Sequence, residues 1–333
     1  MHKIGHGGTH FTSWAQQRHT IAVGAAVSSL AFSPSAKRYV FAAGARVHVV
    51  VINGSMMTIE SELTTPSRVS CVIFVGSDDM IATVGDDGCA RVWHYKSATE
   101  THSCAAPEGC GGACCVAFGT VNGQLVLAVG YVNGTARLWS IDGQCVATLD
   151  GHTGPLLGID VSRASKLVAT GSDDGTARLW AAPAGDCLAI LRVPSSAACH
   201  AVRFGSARTS GIVAVATANG AAYAFEVPAS SPVDAPVEVA PAVAFKGHVG
   251  RVNDVAVGEN GEVLATASQD KTVKLWKLRT GEFCRALPGG GDVQAVAFST
   301  AGAANLATAT AKGTLKIFGI VPRGGDAGML AGR

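Results

Sequence analysis

The 333-residue sequence is poor in charged and aromatic residues, which make up 15% and 6% of it. Typical soluble domains carry roughly 25% charged residues, whereas hydrophobic residues reach 48% in this chain. A disordered chain combines low hydrophobicity with high net charge, so the composition excludes one. A coiled coil is excluded as well, because it needs far more Glu, Lys and Leu.

Long uninterrupted apolar segments are also missing. The longest stretch without a charged residue covers residues 109–136, and the turn-forming pairs Asn122-Gly123 and Asn133-Gly134 interrupt it. The first residues of the chain lack the apolar core of a secretory signal. The sequence therefore predicts a soluble protein with no membrane insertion and a cytoplasmic location, while a nuclear location stays open.

The ten cysteines lack the paired spacing that is typical of zinc sites. His102, Cys104, Cys110, Cys114 and Cys115 lie close together in the chain, but their spacing contains no C-x2-C pair. Several cysteines recur at equivalent strand positions of an internal repeat, a placement that argues for reduced thiols in the cytosol rather than disulfides. We predict neither a metal site nor a cofactor.

The sequence contains seven copies of one internal repeat. Each copy has an apolar run, a polar turn and an alternating strand that ends in an aromatic residue or, in the first copy, in Val. The copies end at Val50, Trp93, Trp139, Trp180, Phe225, Trp276 and Phe318. Successive ends are 43, 46, 41, 45, 51 and 42 residues apart, close to the roughly 40–45 residues of a four-stranded propeller blade.

A further short strand precedes each copy, and no segment shows a helical period. One column of these strands holds small residues, as expected where inner strands crowd a central axis: Ser29, Cys71, Cys115, Gly158, Ala201, Asp254 and Ala295. The pattern predicts an all-β fold, a seven-bladed β-propeller of four-stranded antiparallel blades. Because an open ring would leave an unpaired edge, residues 9–23 are expected to pair with the strand that ends at Phe318.

The repeat resembles that of the WD-repeat β-propeller family, whose unit opens with Gly-His and closes on a Trp-containing strand. Gly151-His152 and Gly247-His248 precede two of the copies, and in each of these an Asp stands six residues before the Trp. The resemblance implies two buried hydrogen-bond networks of structural importance: His152, Asp174 and Trp180 with Thr170 or Ser172, and His248, Asp270 and Trp276 with Thr266 or Ser268.

A catalytic role for these His–Asp pairs is disfavoured, because a single active site would not recur at equivalent repeat positions. The sequence also contains no phosphate-binding G-x-x-x-x-G-K-[ST] loop and no nucleophile elbow. No Trp-Asp dipeptide occurs, which disfavours a ubiquitin-ligase substrate receptor of the WD-repeat type. We predict that the protein is not an enzyme and has no small-molecule substrate.

The predicted function is a non-enzymatic protein–protein interaction scaffold, a WD-repeat subunit of a larger multiprotein complex. Four basic residues of the sixth repeat are the candidate partner-binding residues: Lys271, Lys274, Lys277 and Arg279. An RNA- or ribonucleoprotein-associated module that uses this basic patch is the alternative. The identity of the partner and the face of the ring that binds it stay open.

A proline-rich insert at residues 228–241 accounts for the longest interval between copies. Its four prolines predict an extended, polyproline-like loop, and the repeat places it on the face opposite the Gly-His loops. Both a docking element and a tolerated loop are consistent with it. The single propeller is predicted to occupy residues 9–321, with residues 1–8 and 322–333 as flexible termini.

Overall fold

The computed structural model describes residues 15–53, 56–163, 165–206, 209, 211–228, 235–299 and 305–320 of the chain. The predicted termini, residues 1–8 and 322–333, lie outside this part. The described residues form seven sheets, and helix is confined to a 3-10 turn at Pro194–Ser196. No helix among them is long and apolar enough to cross a membrane.

The strands follow one another in chain order, and each blade takes four consecutive antiparallel strands except where the ring closes and where an insert intervenes. The first strand, β1 (Ala15–Ala22), precedes blade one. Blades one to three contain β2 (Val27–Phe32), β3 (Arg38–Ala43), β4 (Arg46–Asn53) and β5 (Met56–Thr64), then β6 (Val69–Phe74), β7 (Met80–Gly85), β8 (Cys89–His94) and β9 (Thr99–Ala105), then β10 (Ala113–Val121), β11 (Gln124–Tyr131), β12 (Ala136–Ser140) and β13 (Cys145–Leu149).

The remaining blades repeat this order. Blades four and five contain β14 (Leu156–Val161), β15 (Leu167–Ser172), β16 (Thr176–Ala181) and β17 (Cys187–Arg192), then β18 (Cys199–Phe204), β19 (Ile212–Thr217), β20 (Ala221–Glu226) and, after the insert strand β21 (Val237–Val239), β22 (Val243–Lys246). Blades six and seven contain β23 (Val252–Val257), β24 (Val263–Ser268), β25 (Thr272–Lys277) and β26 (Phe283–Pro288), then β27 (Val293–Phe298), β28 (Asn305–Thr310) and β29 (Thr314–Ile320).

The two ends of the chain close the ring. Strand β1 pairs antiparallel with β29, from Ala22 opposite Thr314 to Ala15 opposite Ile320, and so becomes the fourth strand of blade seven. The first strands of neighbouring blades contact one another around the axis, and β27 contacts β2. The predicted seven-bladed, all-β propeller is confirmed, as is the pairing of its two ends over β1. Residues 9–14 of that prediction lie outside the described part.

The apolar core is divided among the blade interfaces. Buried side chains form seven clusters, one between each pair of neighbouring blades, including the pair formed by blades seven and one. Each blade therefore buries both faces of its middle strands, and strands that are buried on both faces read as nearly continuous apolar runs. This packing explains how a chain with so few charged residues folds without a large single core.

The small column of the first strands faces the first strand of the next blade. In all seven blades a β-bulge precedes the residue of this column. That residue therefore pairs with the fifth residue of the second strand of its blade or, in blade three, with the equivalent residue of the longer β11. At Gly158 an added Cβ would lie 2.8 Å from the Cα of Ala201 in the next blade. The column is small because the backbones of adjacent first strands approach one another closely.

Substitution of Gly158 by Ala is expected to lower the free energy of unfolding by about 1–3 kcal/mol, because the new methyl group must push apart two backbones. Gly211→Ala is the matched control, since its Cβ would meet no atom within 4 Å, and it should be neutral or slightly stabilising. Chemical denaturation of both variants measures the difference. Equal effects of the two substitutions would contradict the close approach at the axis.

Part of the proline-rich insert is a strand, which the sequence did not predict. Strand β21 pairs in parallel with β17 and gives blade four a fifth strand, with Glu238 opposite Ile190. Residues 237–239 contain no proline, so their N–H groups remain available, and β17 offers the free edge of an outer strand. An ion pair of 2.5 Å between Arg192 and Glu238 joins the same two strands. Residues 229–234 of the insert lie outside the described part.

Candidate functional site

The loops that connect the strands lie at the two ends of the ring. We call the Gly-His end the one that holds the connections between blades and the turns between the second and third strands of each blade. The opposite end holds the turns between first and second strands and between third and fourth strands. The insert leaves blade five after Glu226, which pairs with Ile212 at the start of the second strand. It therefore begins at the opposite end, as the sequence predicts.

In blade four the Gly-His loop is tied to the neighbouring turn through one carboxylate. Oδ2 of Asp174 lies 2.7 Å from Nδ1 of His152 and accepts the backbone N–H of Thr153 at 3.1 Å. Oδ1 accepts the N–H of Thr176 at 2.9 Å and its hydroxyl at 2.7 Å. All four hydrogen bonds converge on a side chain that is only 8% exposed.

The network continues into the blade through one threonine. Oγ1 of Thr170 lies 2.8 Å from Nε2 of His152 and accepts a hydrogen bond of 2.8 Å from Nε1 of Trp180. The alternative hydroxyl, that of Ser172, instead donates to the carbonyl oxygen of Gly154 at 2.9 Å. The structure thus brings together all three residues that the resemblance implies, and it selects Thr170 over Ser172.

Blade six repeats this geometry. Nδ1 of His248 lies 2.7 Å from Oδ2 of Asp270, which also accepts the N–H of Val249 at 3.2 Å. Oγ1 of Thr266 lies 2.7 Å from Nε2 of His248 and accepts Nε1–H of Trp276 at 2.9 Å. The second implied network is therefore also assembled, with Thr266 rather than Ser268.

The donors and acceptors of each network form a continuous chain. Since an indole N–H only donates, the hydroxyl of Thr170 or Thr266 accepts from the Trp, and it also contacts Nε2 of the His. The hydroxyl of Thr266 in addition donates to the carbonyl oxygen of Lys274 at 3.3 Å. Nδ1 of each histidine faces the carboxylate, so every polar group from Trp to Asp has a partner.

The other blades keep only parts of the network. In blade two Nε1 of Trp93 donates to Thr83 at 2.9 Å, and in blade three Nε1 of Trp139 donates to the hydroxyl of Tyr131 at 3.1 Å. Blade seven has Phe318 at the Trp position, and the buried hydroxyl of Thr308 has no hydrogen-bond partner among the described residues. The complete network is thus a property of blades four and six within the described ring.

Comparison with known families agrees with this geometry. The family model described as "WD domain, G-beta repeat" matches residues 57–94, 143–181 and 240–277. Each match runs from the outer strand of one blade through the first three strands of the next. Each match thus has the length of one blade, and the seven sheets of the ring have four strands each, apart from blade four with five. The chain is a WD-repeat β-propeller.

Curated WD-repeat relatives match only parts of the chain. Eukaryotic translation initiation factor 3 subunit I of Aspergillus niger is 33% identical over 75 residues, which is 22% of this chain and 22% of that protein. Pre-mRNA-processing factor 19 of Oryza sativa subsp. japonica is 30% identical over 159 residues, 46% of this chain and 28% of its own length. The transcriptional corepressor LEUNIG_HOMOLOG of Arabidopsis thaliana is 26% identical over 234 residues, 68% of this chain and 27% of its own length. The match therefore spans less than a third of each relative.

The ionisation of the WD-repeat networks is strongly perturbed. Burial alone would raise the pKa of the Asp174 carboxyl, but hydrogen bonds from His152 and Thr176 outweigh it and hold that pKa well below its ordinary value. The pKa of Asp270 is lowered in the same way. Burial lowers the pKa of His248, although Asp270 acts in the opposite direction. These shifts make the network of blade six sensitive to acid.

The stabilisation contributed by His248 is expected to decrease as the pH falls below about 6.5, the ordinary pKa of histidine. Because the folded pKa lies below the unfolded one, the unfolded chain binds the proton more readily, so acid favours unfolding. The measurement is the difference in unfolding free energy between the wild type and His248→Ala at pH 7.5 and at pH 5, which cancels the other titrating groups. We expect a smaller difference at pH 5, and a larger one would contradict the lowered pKa of His248.

A basic residue recurs in the third strands, two positions before the closing aromatic residue, and in some blades it contacts groups outside its own strand. Nζ of Lys274 donates to the carbonyl oxygen of Gly247, which follows the outer strand of the preceding blade. Nζ of Lys316 donates in the same way to Pro288 at 2.9 Å, and Arg178 lies 5.9 Å from the ring centroid of Trp180. In blades six and seven this residue therefore ties its own blade to the previous one.

The four candidate partner-binding residues do not form one surface. Lys271 lies in the turn at the Gly-His end, whereas Lys277 and Arg279 lie at the opposite end of the same blade. Lys277 forms an ion pair of 2.6 Å with Glu282, and Arg279 borders a small cavity next to Phe225 and Leu278. Lys274 stands between the two ends and reaches towards Gly247. A residue run that looks continuous in the sequence is thus divided by the length of a strand.

Charged residues at the axis were missed by the sequence analysis, apart from Asp254. Nη2 of Arg203 lies 3.4 Å from Oδ1 of Asp254, and Asp160 also interacts with Arg203 electrostatically. Oδ2 of Asp160 accepts the N–H of Phe204 at 2.8 Å, and Oδ2 of Asp254 accepts the N–H of Val296 at 3.0 Å. Each carboxylate thus joins its blade to the next one. Burial raises the pKa of both, against the effect of Arg203.

A signal for this group was present in the repeat. Asp160 and Arg203 occupy the same column of the first strands, where the other blades have Ala or Ile. The column two residues earlier contains Asp254. Comparing the charge of both columns, rather than the size of one, would have identified a cluster that extends over blades four, five and six.

The cysteine-rich segment is distributed over different parts of blades two and three. Cys104 and His102 lie on the outer strand of blade two, Cys115 lies on the first strand of blade three, and all ten cysteines are free. Within the described ranges, no three His, Cys, Asp or Glu side chains converge as metal ligands would. Cys104, Cys110 and Cys115 are buried in the apolar clusters between blades, whereas Cys145 is exposed.

Proposed function

We propose that the protein is a non-catalytic scaffold subunit of a multiprotein complex. The observation that carries this proposal is the closed WD-repeat ring, whose blade interfaces are filled and whose Gly-His loops in blades four and six are held by four hydrogen bonds to one carboxylate. A frame of this kind holds its surface loops in a defined geometry, which favours recognition of a partner at low entropic cost.

The relatives are consistent with such a role without specifying it. Their names describe a subunit of a translation initiation factor, a pre-mRNA-processing factor and a transcriptional corepressor. Proteins named for three different processes each match part of this chain, so the similarity supports a class of function and not a pathway. The names favour neither the cytoplasm nor the nucleus, and the cytoplasmic location stays a prediction.

Binding to RNA receives less support than binding to protein. Lys271 and Arg279 lie at opposite ends of blade six, which leaves no continuous basic path along the predicted patch. Single-stranded RNA is commonly held by exposed aromatic side chains, and Phe283 is the exposed large aromatic residue of the described chain. It lies opposite Trp276 on the outer strand and away from Lys271.

Size-exclusion chromatography of a cell extract that contains the tagged protein at endogenous level tests the proposal. We expect the protein to elute in a particle much larger than its mass of 33.7 kDa, with the same partners recovered in stoichiometric amounts after chemical crosslinking. Ribonuclease treatment should leave this particle intact. Elution as a free monomer would contradict the proposal, and loss of the particle after ribonuclease would favour the RNA alternative.

A further inference from the structure

The Gly-His end of blade six combines unpaired positive charge with one exposed apolar side chain. Val249 is 95% exposed, and its backbone N–H is bound to Asp270, so the loop presents it in a fixed position. Lys271 follows Asp270 in the adjacent turn, and Arg251 accepts the N–H of Gln269 through its carbonyl oxygen at 3.0 Å. Lys271 therefore lies in the turn that holds the loop of Val249, and Arg251 follows Val249 by two residues, with its Nε donating to Oδ1 of Asn253 at 2.7 Å.

A third cation comes from the neighbouring blade. Lys246 ends the outer strand of blade five and pairs with Ala221, which begins the third strand directly after the turn at the Gly-His end. It is exposed and directly precedes the Gly247-His248 loop. We call Lys246, Val249, Arg251 and Lys271 the blade-six surface.

Three carboxylates of blade six are already engaged. Asp270 accepts four hydrogen bonds in the WD-repeat network, Asp254 is turned to the axis with Arg203, and Glu282 pairs with Lys277 at the other end. Among the described residues, Lys246, Arg251 and Lys271 form no ion pair with any carboxylate, including Asp292 in the following loop. The surface therefore has a local excess of positive charge that the chain itself does not neutralise.

We propose that the blade-six surface binds an acidic segment of a partner protein, with carboxylates facing Lys246, Arg251 and Lys271 and one apolar side chain packed on Val249. This inference rests on the proposed scaffold function and adds the surface and the chemistry of the partner. Charge complementarity identifies the sign of the ligand. The fully exposed valine at the centre favours a peptide, because no Phe, Tyr or Trp among the described residues is exposed beside it to stack on a base.

Fluorescence anisotropy with purified full-length protein tests the inference directly. The probe is a labelled peptide with several glutamates around one leucine, and a second peptide has serine in place of the leucine. Combined reversal of Lys246→Glu, Arg251→Glu and Lys271→Glu should weaken binding of the leucine peptide by at least about tenfold. Val249→Ser should remove the preference for the leucine peptide over the serine peptide. Lys274 is left unchanged, because it ties Gly247 to blade six.

A matched control reverses three cations at the opposite end. Lys37→Glu, Lys166→Glu and Arg279→Glu change the net charge by the same amount, and these exposed residues form no ion pair among the described residues. We expect this variant to bind the leucine peptide with wild-type affinity. Thermal unfolding of both triple variants verifies that each is folded before affinities are compared.

Three results would overturn the inference: equal affinity of the two triple variants, equal affinity of the wild type for the two peptides, or tighter binding of a single-stranded RNA oligonucleotide by the wild type. Size-exclusion chromatography of the cell extract distinguishes failure of this inference from failure of the proposed function. If the wild type and the blade-six triple variant both remain in the large particle, the scaffold proposal stands and the blade-six surface is not its docking site. If the wild type itself is a free monomer, the scaffold proposal fails, whatever the peptides show.

Discussion

Thr266→Val is expected to lower the free energy of unfolding by about 2–4 kcal/mol. The substitution keeps the shape of a fully buried side chain but removes the hydroxyl that accepts from Trp276 and faces Nε2 of His248. Two buried polar groups then lack partners, and each costs about 1–3 kcal/mol. His248→Ala should act in the same direction, because it leaves Asp270 and Thr266 without their common partner. Urea denaturation with circular dichroism provides the measurement.

Thr308→Val is the matched control, since it makes the same chemical change at the equivalent position of blade seven. The hydroxyl of Thr308 is buried and has no hydrogen-bond partner among the described residues, because Phe318 stands where blades four and six have Trp. Removing an unsatisfied hydroxyl should be neutral or should stabilise the protein by about 1 kcal/mol. Similar losses for the two threonines would show that the network contributes nothing beyond packing.

A chain that begins at Ala25 is expected to lose cooperative folding. It lacks β1, which pairs with β29 at seven positions and supplies the fourth strand of blade seven. At about 0.5–1.5 kcal/mol for each hydrogen bond, the loss approaches the whole stability of a typical domain, about 5–15 kcal/mol. The free edge of β29 would also become available for pairing with other chains. Thermal unfolding and light scattering would detect both effects.

Deletion of residues 1–8 alone is the control for this truncation, and we expect it to leave the unfolding midpoint unchanged. A synthetic peptide that covers residues 15–24 should partly restore the folded state of the truncated chain when it is added in excess, because closure depends on the strand and not on its covalent connection. A truncated chain that unfolds at the wild-type midpoint would show that blade seven does not need β1.

Features that recur in every repeat could be predicted from the sequence, because each copy supplies an independent test. The period of the terminal aromatics implied seven blades, and the small residues at Gly158 and Ala201 implied crowded first strands. The two networks were implied by the resemblance, and the structure assembles their residues. The choice of Thr170 over Ser172 needed coordinates, since both hydroxyls lie on the same strand and on the same side of it.

Features that involve only one or two blades were missed or misjudged. The basic run of the sixth repeat is continuous in the chain, yet Lys271 and Arg279 lie at opposite ends of a strand. The prolines of the insert predicted an extended loop, but part of it, β21, pairs with the outer strand of blade four. Arg203 forms its ion pair with a residue of the next blade. Such pairings depend on which elements meet in the ring, and neighbouring positions in the sequence do not reveal them.

The low content of charged residues in the chain now has a physical explanation. The sequence by itself determined the number of blades, the strand order and the closure of the ring, because these follow from a local pattern repeated seven times. The tertiary structure decided which charges are neutralised within the fold and which remain available. Asp270 is engaged by His248, Val249 and Thr272, and Lys246, Arg251 and Lys271 form no ion pair with any carboxylate of the described residues.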